Sequence, residues 1–486
     1  MSEHTLISTP TDDFPVSRPA ASLAARLAAH HWAPLPVVLI APFMVVLDFF
    51  IVNVAIPSMQ SRLHAGSGAV EWVIAGYGLT FAIGLITGGR LGDRFGRRRM
   101  FSLGQLLFTL ASVACGLASS PAQLVGARIG QGLAAALLGP QALALLGVIY
   151  DGARRVQAFS IYGMALGLAA VSGQLIGGAL IQANPAGLGW RSVFLINLPI
   201  GVLGLALAPR LVPESRADGA PGLDLTGAGL VTLALTAIVL PLIEGRSHGW
   251  PAWTWASLAV SPFLLSAFAG HQRRLGRRGG EPLLHPTLFR ERAFTVGLLA
   301  QFAFFSTMAS FFLVFALYLQ QGRGLDPLEA GLVFTIMAGA YVVASAQAPQ
   351  LTHRLGRKLP IAGAVVLAGG HSLLAATVLD IGTGHTVALL VPALVLIGAG
   401  MGLVLTPLTN TVLATLTPAR AGAASGALST MQQIGNALGV ALTGVIFYGA
   451  LERGLPRAFE LSLVELAAVS VAVAACSRLL PNTAKP

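Results

Sequence analysis

Stretches of about twenty apolar residues recur along the whole chain, and they limit the possible folds more than any other feature. A hydrocarbon core of roughly 30 Å needs about 20 apolar residues when it is crossed as an α-helix. Such runs lie near residues 35–57, 70–89, 100–118, 122–149, 156–182, 190–209, 223–243, 252–270, 293–318, 327–349, 360–381, 385–412, 422–448 and 459–480, which predicts fourteen spans. A transmembrane barrel is excluded by pattern, because its strands run about 10 residues with strict alternation. Composition agrees. Hydrophobic residues make up 55% of the chain and charged residues 10%, against about 25% charged in soluble domains. The predicted fold class is an all-α polytopic membrane protein.

The remaining charges are arranged by side. The formal net charge is +11, which in a soluble protein would suggest nucleic acid. With a cytoplasmic N-terminus, 23 Lys and Arg fall in inside segments. Six, Arg62, Arg191, Arg246, Arg323, Arg453 and Arg457, fall in outside loops. That asymmetry predicts both termini in the cytoplasm and accounts for the basicity without a nucleic-acid partner. Trp72, Trp190, Trp250, Trp253 and Trp255 sit at predicted outer ends, as an interfacial belt would. Residues 1–34 show no cleavable signal and read as a cytoplasmic tail, with a second short tail at 481–486. Cys115 and Cys476 lie in separate apolar runs without CxxC spacing. They read as small buried residues, not a metal or redox pair.

The chain repeats internally. Arg94-Phe95-Gly96-Arg97-Arg98 after span 2 matches Arg354-Leu355-Gly356-Arg357-Lys358 after span 10, an offset of 260 residues. SGQLIGG (172–178) in span 5 loosely echoes MQQIGNALG (431–439) in span 13. We therefore expect a six-helix bundle at 35–211, two inserted helices at 212–285 and a second six-helix bundle at 286–480. Parallel repeats with a site between them are a transporter design.

Four groups of residues carry candidate chemistry. Asp48 lies near the middle of span 1, in LDFFIVNVAIP, and Arg128 lies inside span 4. Charges at membrane depth are costly and mark function by default. A carboxylate whose surroundings change as a site opens to either side binds and releases a proton. These two are the candidate proton-coupling residues. Glu71, Glu244, Asp380 and Glu465 fall near predicted span ends instead. GRLGDRFGRRR (89–99) holds more arginine than topology requires, together with an acid and spaced glycines. Gly89, Asp93, Arg94, Gly96, Arg97 and Arg98 form a candidate conformational latch. In it Asp93 would meet a helix N-terminus of the other half, and the arginines would pair with Asp151 and lipid phosphates. Gly163 and Gly167, and Gly173 and Gly177, are spaced for close helix approach. Asn53, Tyr77, Phe305, Phe312, Asn410, Gln432 and Asn436 are candidate substrate-cavity residues. For the phenylalanines, packing and lipid contact is the competing reading. The scattered histidines have neither triad nor ligand spacing, so no catalytic residue and no metal site is expected.

In order along the chain, these segments resemble the major facilitator superfamily, and within it the fourteen-span drug:proton antiporters. LDFFIVNVAIP is similar to the family's helix 1 signature, GRLGDRFGRRR to its loop 2–3 motif, LVGARIGQGLAAA (124–136) to its helix 4 motif, GWRSVFLINLPIG (189–201) to helix 6 and AGAASGALSTMQQIGNALGVA (421–441) to helix 13. The resemblance implies proton-driven export of hydrophobic or cationic small molecules across a bacterial cytoplasmic membrane by alternating access. It implies no cofactor beyond the proton gradient. It also implies a monomer in the bilayer with small molecules and protons as partners, and a periplasmic adaptor as a candidate partner. The alternative is a dedicated exporter of one metabolite, such as an antibiotic or siderophore. A membrane enzyme or a sensor on a transporter fold are the readings from other classes. One departure stands out. Gln174 replaces the family's usual proline in the helix 5 motif Gly173, Gln174, Gly177, Gly178. Because Gln keeps the backbone N–H, a softer kink is expected there. Span 10 also lacks an embedded acid.

Overall fold

A computed structural model describes residues 31–216, 222–280, 282–283, 288–384, 386–414 and 418–480. The side chains of residues 86, 153, 156, 171, 410–414 and 418–425 fall outside that description. So do the tail at 1–30, residues 481–486 and the side chain of Asn410. Each predicted run is a helix: α1 (Pro34–Leu63), α2 (Ser67–Phe95), α3 (Arg97–Leu117), α4 (Pro121–Ile149), α5 (Gly152–Ala183), α6 (Gly189–Leu211), α7 (Leu225–Ser247), α8 (Ala252–Arg277), α9 (Arg292–Leu317), α10 (Pro327–Leu355), α11 (Lys358–Ile381), α12 (Val391–Ala414), α13 (Pro418–Ala450) and α14 (Leu455–Arg478). No strand occurs among the described residues. The fold is all-α and multi-pass.

The helices outrun the apolar stretches because caps end them, not hydropathy. Asp326 makes a capping box with Glu329 before Pro327 opens α10, and Ser120 accepts from the Gln123 N–H before Pro121 opens α4. α14, with Gly454 at its N-cap and Pro456 in its first turn, begins at Leu455, not near 459, which puts Glu465 in mid-helix, where its Oε2 accepts from Thr443 at 2.9 Å. Asp224 caps α7. It accepts from the Gly227 N–H at 2.8 Å and ties α7 to α8 through His271 Nε2 and Gln272 Nε2, both at 2.7 Å. Burial raises the Asp224 carboxyl, but Gly227, His271 and Gln272 outweigh it and hold it below the ordinary carboxylate value.

Packing repeats at a shift of eight helices. The pairs α2–α4, α3–α4, α1–α5 and α3–α6 recur as α10–α12, α11–α12, α9–α13 and α11–α14. The two groups touch along α2–α13, α5–α10 and α1–α9. α7 and α8 pack on each other, and α7 also lies against α2 and α13. α8 is outermost: 11% of its most apolar stretch is enclosed, against 72% for α1. Helices within a group cross with backbones nearly touching. A Cβ on Gly132 of α4 would lie 2.4 Å from the Tyr77 carbonyl of α2. In lipid such contact replaces the hydrophobic drive between helices.

Among the described residues, contact between the two groups is one-sided. It is made by the halves of the helices away from the arginine-rich loops. Gln320 Nε2 donates to Val54 O at 2.9 Å, Gln321 to Gln60 at 2.7 Å and Gln182 to Asp326 at 3.2 Å. Phe50 meets Phe312 at 4.9 Å, and Phe312 stacks on Phe334 at 5.3 Å. Toward the arginine-rich face α5 and α10 are less covered. Leu168 is 60% exposed there and Val343 59%. Gly163 and Gly167 have no atom within 4 Å of where a Cβ would stand, so their spacing packs nothing in this conformation.

α5 bends by 42° between Ala170 and Ser172. Gln174 itself lies beyond the bend, which falls just before Ser172. Ser172 Oγ donates to Leu168 O at 2.6 Å, a back-bond that bends helices without proline. Beyond the bend Gly173 and Gly177 pack onto Phe50, Ile51 and Val54 of α1. Gly178 faces the Pro327 carbonyl of α10, and Gln174 Nε2 donates to Phe50 O at 2.8 Å.

Two outcomes follow. Gly132→Ala lowers thermal stability in detergent by about 1–3 kcal/mol, whereas Gly130→Ala, two residues away and facing open space, is near neutral. Asp224→Ala loses about 0.5–2 kcal/mol of capping at neutral pH. Because the folded carboxyl is depressed, this stability exists above about pH 4 and is lost as the pH falls through the folded value. The difference between variant and parent melting temperatures therefore closes in acid.

Candidate functional site

The first helix group encloses a charge cluster. Asp48 stands at the middle of α1 and Arg128 in the third turn of α4, and both side chains are fully buried. Arg128 Nη1 donates to Asp48 Oδ2. Gln131 Nε2 and Asn197 Nδ2 each donate to Asp48 Oδ1 at 2.9 Å. Arg128 Nη1 also donates to Gln131 Oε1 at 2.7 Å, and its Nε to Val73 O at 2.9 Å. Ser112 Oγ accepts from Gln131 at 3.2 Å and from Asn197 at 2.8 Å, and donates to Phe194 O at 2.9 Å. Five of the six helices, α1, α2, α3, α4 and α6, thus meet around one carboxylate.

Folding builds this site from spacing. Gln131 lies three residues after Arg128, so both project from one face of α4. Asn197 follows the short α6 entry that sets Trp190 and Phe194 against α3. The Tyr77 ring lies 4.2 Å from the Arg128 guanidinium, and its hydroxyl donates to Val45 O at 3.2 Å. Tyr77 therefore belongs to the charge cluster and not to a cavity wall. Arg128 does not snorkel, since it has no exposed surface. Gln131 and Asn197 stand inside quoted motifs, yet only the fold shows them holding the carboxylate. Ser112 carried no sequence signal. A buried pair that loses one partner leaves an uncompensated charge, so the surrounding amides fix where Asp48 sits as well as what it binds.

The predicted cavity residues divide. Phe312 closes the seam between α1, α9 and α10, and Phe305 is half-buried against Phe304 at 5.5 Å. Gln432 Nε2 reaches Gln301 Oε1 at 3.4 Å, and Gln301 Nε2 donates to Thr409 at 2.8 Å, which makes an amide chain across α9, α12 and α13. Asn436 is 3% exposed and donates to Gln433 at 3.0 Å. Asn53 is buried and turns back on its own helix, donating to Phe49 O at 3.3 Å and Phe50 O at 3.2 Å. Asn53 and Asn436 are thus packing amides in this conformation. The side chain of Asn410 lies outside the described residues.

The loop at 89–99 is tied down differently from the expectation. Asp93 pairs with Arg97 at 2.8 Å and, among the described residues, meets no helix of the other group. Asp151 is exposed and forms no ion pair among the described residues. Its place is taken by Glu214, in the linker after α6. Glu214 Oε1 accepts the Arg98 backbone N–H at 3.1 Å, and its Oε2 lies 3.8 Å from Arg98 and 3.7 Å from Arg99. Arg97 N–H donates to Ser215 O at 2.9 Å, and Arg90 donates to Gly222 O at 2.8 Å and Pro282 O at 2.7 Å. Gly96 breaks the chain between α2 and α3 at φ +108°. A Cβ there would lie 2.8 Å from Glu214, so only glycine suits both the turn and the linker. Gly89 packs on Pro140 of α4, and Arg94 stacks over Phe95 at 5.6 Å. Among the described residues no three His, Cys, Asp or Glu are placed to hold a metal ion.

Comparison with known proteins extends these observations. Residues 38–440 match the Major Facilitator Superfamily. The chain is 40% identical over 428 residues to the "Probable actinorhodin transporter" of Streptomyces coelicolor, covering 87% of this chain and 73% of the relative. It is 34% identical to the "Multidrug resistance protein Stp" of Mycobacterium tuberculosis, over 86% of this chain and 76% of that one. It is also 34% identical to the "Tetracenomycin C resistance and export protein" of Streptomyces glaucescens, over 90% and 80%. A crystal structure of a POT family transporter in complex with a thioalcohol-conjugated peptide superposes with a TM-score of 0.67 at 16% identity, covering 91% of this chain and 94% of that one, and so shares the fold. With a match that runs from α1 into α13, and relatives aligned over more than four fifths of its length, the chain belongs to the Major Facilitator Superfamily.

Proposed function

We propose that the protein exports hydrophobic or cationic small molecules across the bacterial cytoplasmic membrane, driven by protons moving inward. The observation that carries this reading is the enclosed Asp48–Arg128 pair, set beside a seam that is closed at one face and less covered at the other. The loop arginines support a cytoplasmic arginine-rich face with both termini inside. The present conformation is then inward-open. Substrate enters between α5 and α10 and meets Phe305, Phe312 and the amides around Gln432. Asp48 is deprotonated in this loaded state. Opening outward changes the water around the cluster, and Asp48 takes a proton from outside. The proton neutralises half of the Arg128 ion pair, and the return inward releases it to the cytoplasm. The Glu214-anchored loop holds the first bundle to its linker while the second bundle moves. No resident cofactor takes part, and the working unit is a monomer.

A second reading has its own support. Relatives carry names that point to one product each, actinorhodin, tetracenomycin C and "Cephamycin export protein CmcT" of Amycolatopsis lactamdurans, beside the multidrug resistance name. A transporter dedicated to a single metabolite fits the same cluster. Efflux of several unrelated dyes from an efflux-deficient host separates the two.

In inverted vesicles, substrate-driven proton movement disappears in Asp48→Asn while the protein remains folded. Undiminished movement overturns the coupling role. Arg128→Met leaves Asp48 buried without its partner and costs on the order of 3–5 kcal/mol in thermal unfolding. The double variant Asp48→Asn with Arg128→Met is more stable than Arg128→Met alone.

A further inference from the structure

The cluster around Asp48 leaves a second enclosed carboxylate unused. Glu71, in the second turn of α2, is 1% exposed, and its Oε2 has no hydrogen-bond partner among the described residues. It is pressed against α13 of the other bundle, where a Cβ on Gly444 would lie 2.4 Å from that oxygen. An unpaired carboxyl oxygen away from water is costly. Here the enclosure depends on the two bundles staying together at the face away from the arginine-rich loops.

The inserted helix α7 supplies the surrounding charges. Arg246 Nη2 donates to Ser67 Oγ on α2, and its guanidinium stands 5.0 Å from the Tyr448 ring on α13, so one residue of the insertion touches both bundles. The Tyr448 hydroxyl is buried without a partner among the described residues. Glu244, half a turn before Arg246, accepts from Trp72 Nε1 at 2.8 Å, and His248 lies 3.7 Å from it. These are the titratable and charged groups around Glu71: Glu244, Arg246 and His248 from α7 and Tyr448 from α13. A cavity of about 460 Å³ opens at this corner, lined by Ser67, Gly68, Trp72, Glu244 and Ser247, the neighbours of Glu71 on α2 and α7. Deeper along α2, two residues on, the Val73 carbonyl accepts from Arg128, the partner of Asp48. Glu71 therefore stands between the outer face and the Asp48–Arg128 pair, on the seam that must open.

We propose that Glu71 is a second proton-binding residue of the transport cycle, through which protons from the outer face reach the Asp48–Arg128 pair when α2 and α13 separate. Arg246 of the inserted helix is its positioning partner. This rests on the export reading given above, and it assigns the inserted helix α7 a part in coupling. When the seam opens, Glu71 gains water while Arg246 loses Tyr448. When it closes, both are enclosed again. A group that passes between such surroundings binds a proton in one and gives it up in the other.

The test compares wild type, Glu71→Gln, Glu71→Asp and Arg246→Gln in proteoliposomes. Three quantities are measured: substrate counterflow, which needs no net proton movement, substrate-driven proton movement, and the response of the initial rate to outer-face pH. Glu71→Gln keeps counterflow but loses net proton movement and the outer-pH response. Glu71→Asp restores part of both, and Arg246→Gln displaces the midpoint of the pH response. Wild-type coupling with an unaltered Glu71→Gln overturns this proposal alone. Loss of counterflow in step with proton movement also overturns it, because Glu71 then only holds the seam together. If Glu71→Gln does not fold, the Glu71→Asp and Arg246→Gln pH profiles decide, and wild-type profiles in both overturn it. A wild type that moves no protons overturns the export reading, and this proposal with it.

Discussion

An ion pair removed from water survives only where other groups hold it in place, and the first helix bundle is organised around that requirement. Asp48 and Arg128 have no contact with solvent in this conformation. Their desolvation is offset by hydrogen bonds with Gln131 on α4, Val73 on α2 and Asn197 on α6 and by the aromatic face of Tyr77. Because the hydrogen-bonded groups come from α1, α2, α3, α4 and α6, a change in the charge of one carboxylate is felt by nearly the whole bundle. That gives a single bound proton the means to shift the relative energy of two conformations, provided it binds one of them better.

The second constraint is the asymmetry of the seam. Small residues and backbone carbonyls make several of the contacts at the end away from the arginine-rich loops: Gly178 on Pro327, Gly331 on the Gln174 carbonyl, Glu71 on Gly444. Beside them three side-chain hydrogen bonds, from Gln320, Gln321 and Gln182, also cross the seam. The arginine-rich end is held differently, by charged and backbone bonds within the first bundle and its linker, from Arg90, Arg97, Arg98 and Glu214. The bent α5 lies between the two regimes. It packs on α1 beyond Ser172; before it Gly163 and Gly167 face open space while Ala158 and Ala169 stay buried.

Much of this was legible in the chain itself. Fourteen apolar runs became fourteen helices, and the repeat at 94–98 and 354–358 agrees with the eight-helix shift in packing. Asp48 and Arg128 could be singled out because a charge in an apolar run is visible without a structure. Glu214 could not, since an acid in a polar linker looks ordinary until the fold lays it against Arg98. Glu71 and Glu465 were assigned to span ends because hydropathy marks where lipid stops and not where a helix or a neighbouring bundle encloses a side chain. The bend in α5 lies at Ala170–Ser172, ahead of Gln174, and is accompanied by the Ser172 back-bond to Leu168.

By itself, then, the sequence determined the number of helices, their membrane character, the sidedness of charge and the family, because these follow from composition and period along one dimension. Only the tertiary structure decided which side chains share a site. Gln131, Ser112 and Asn197 converge on Asp48 from different helices. Arg246 reaches both bundles from an insertion. Asp93 turns to Arg97, leaving Asp151 in solvent. Hydrogen bonds and ion pairs act over a few ångströms in three dimensions, and residues 80 or 150 positions apart meet only once the helices have packed.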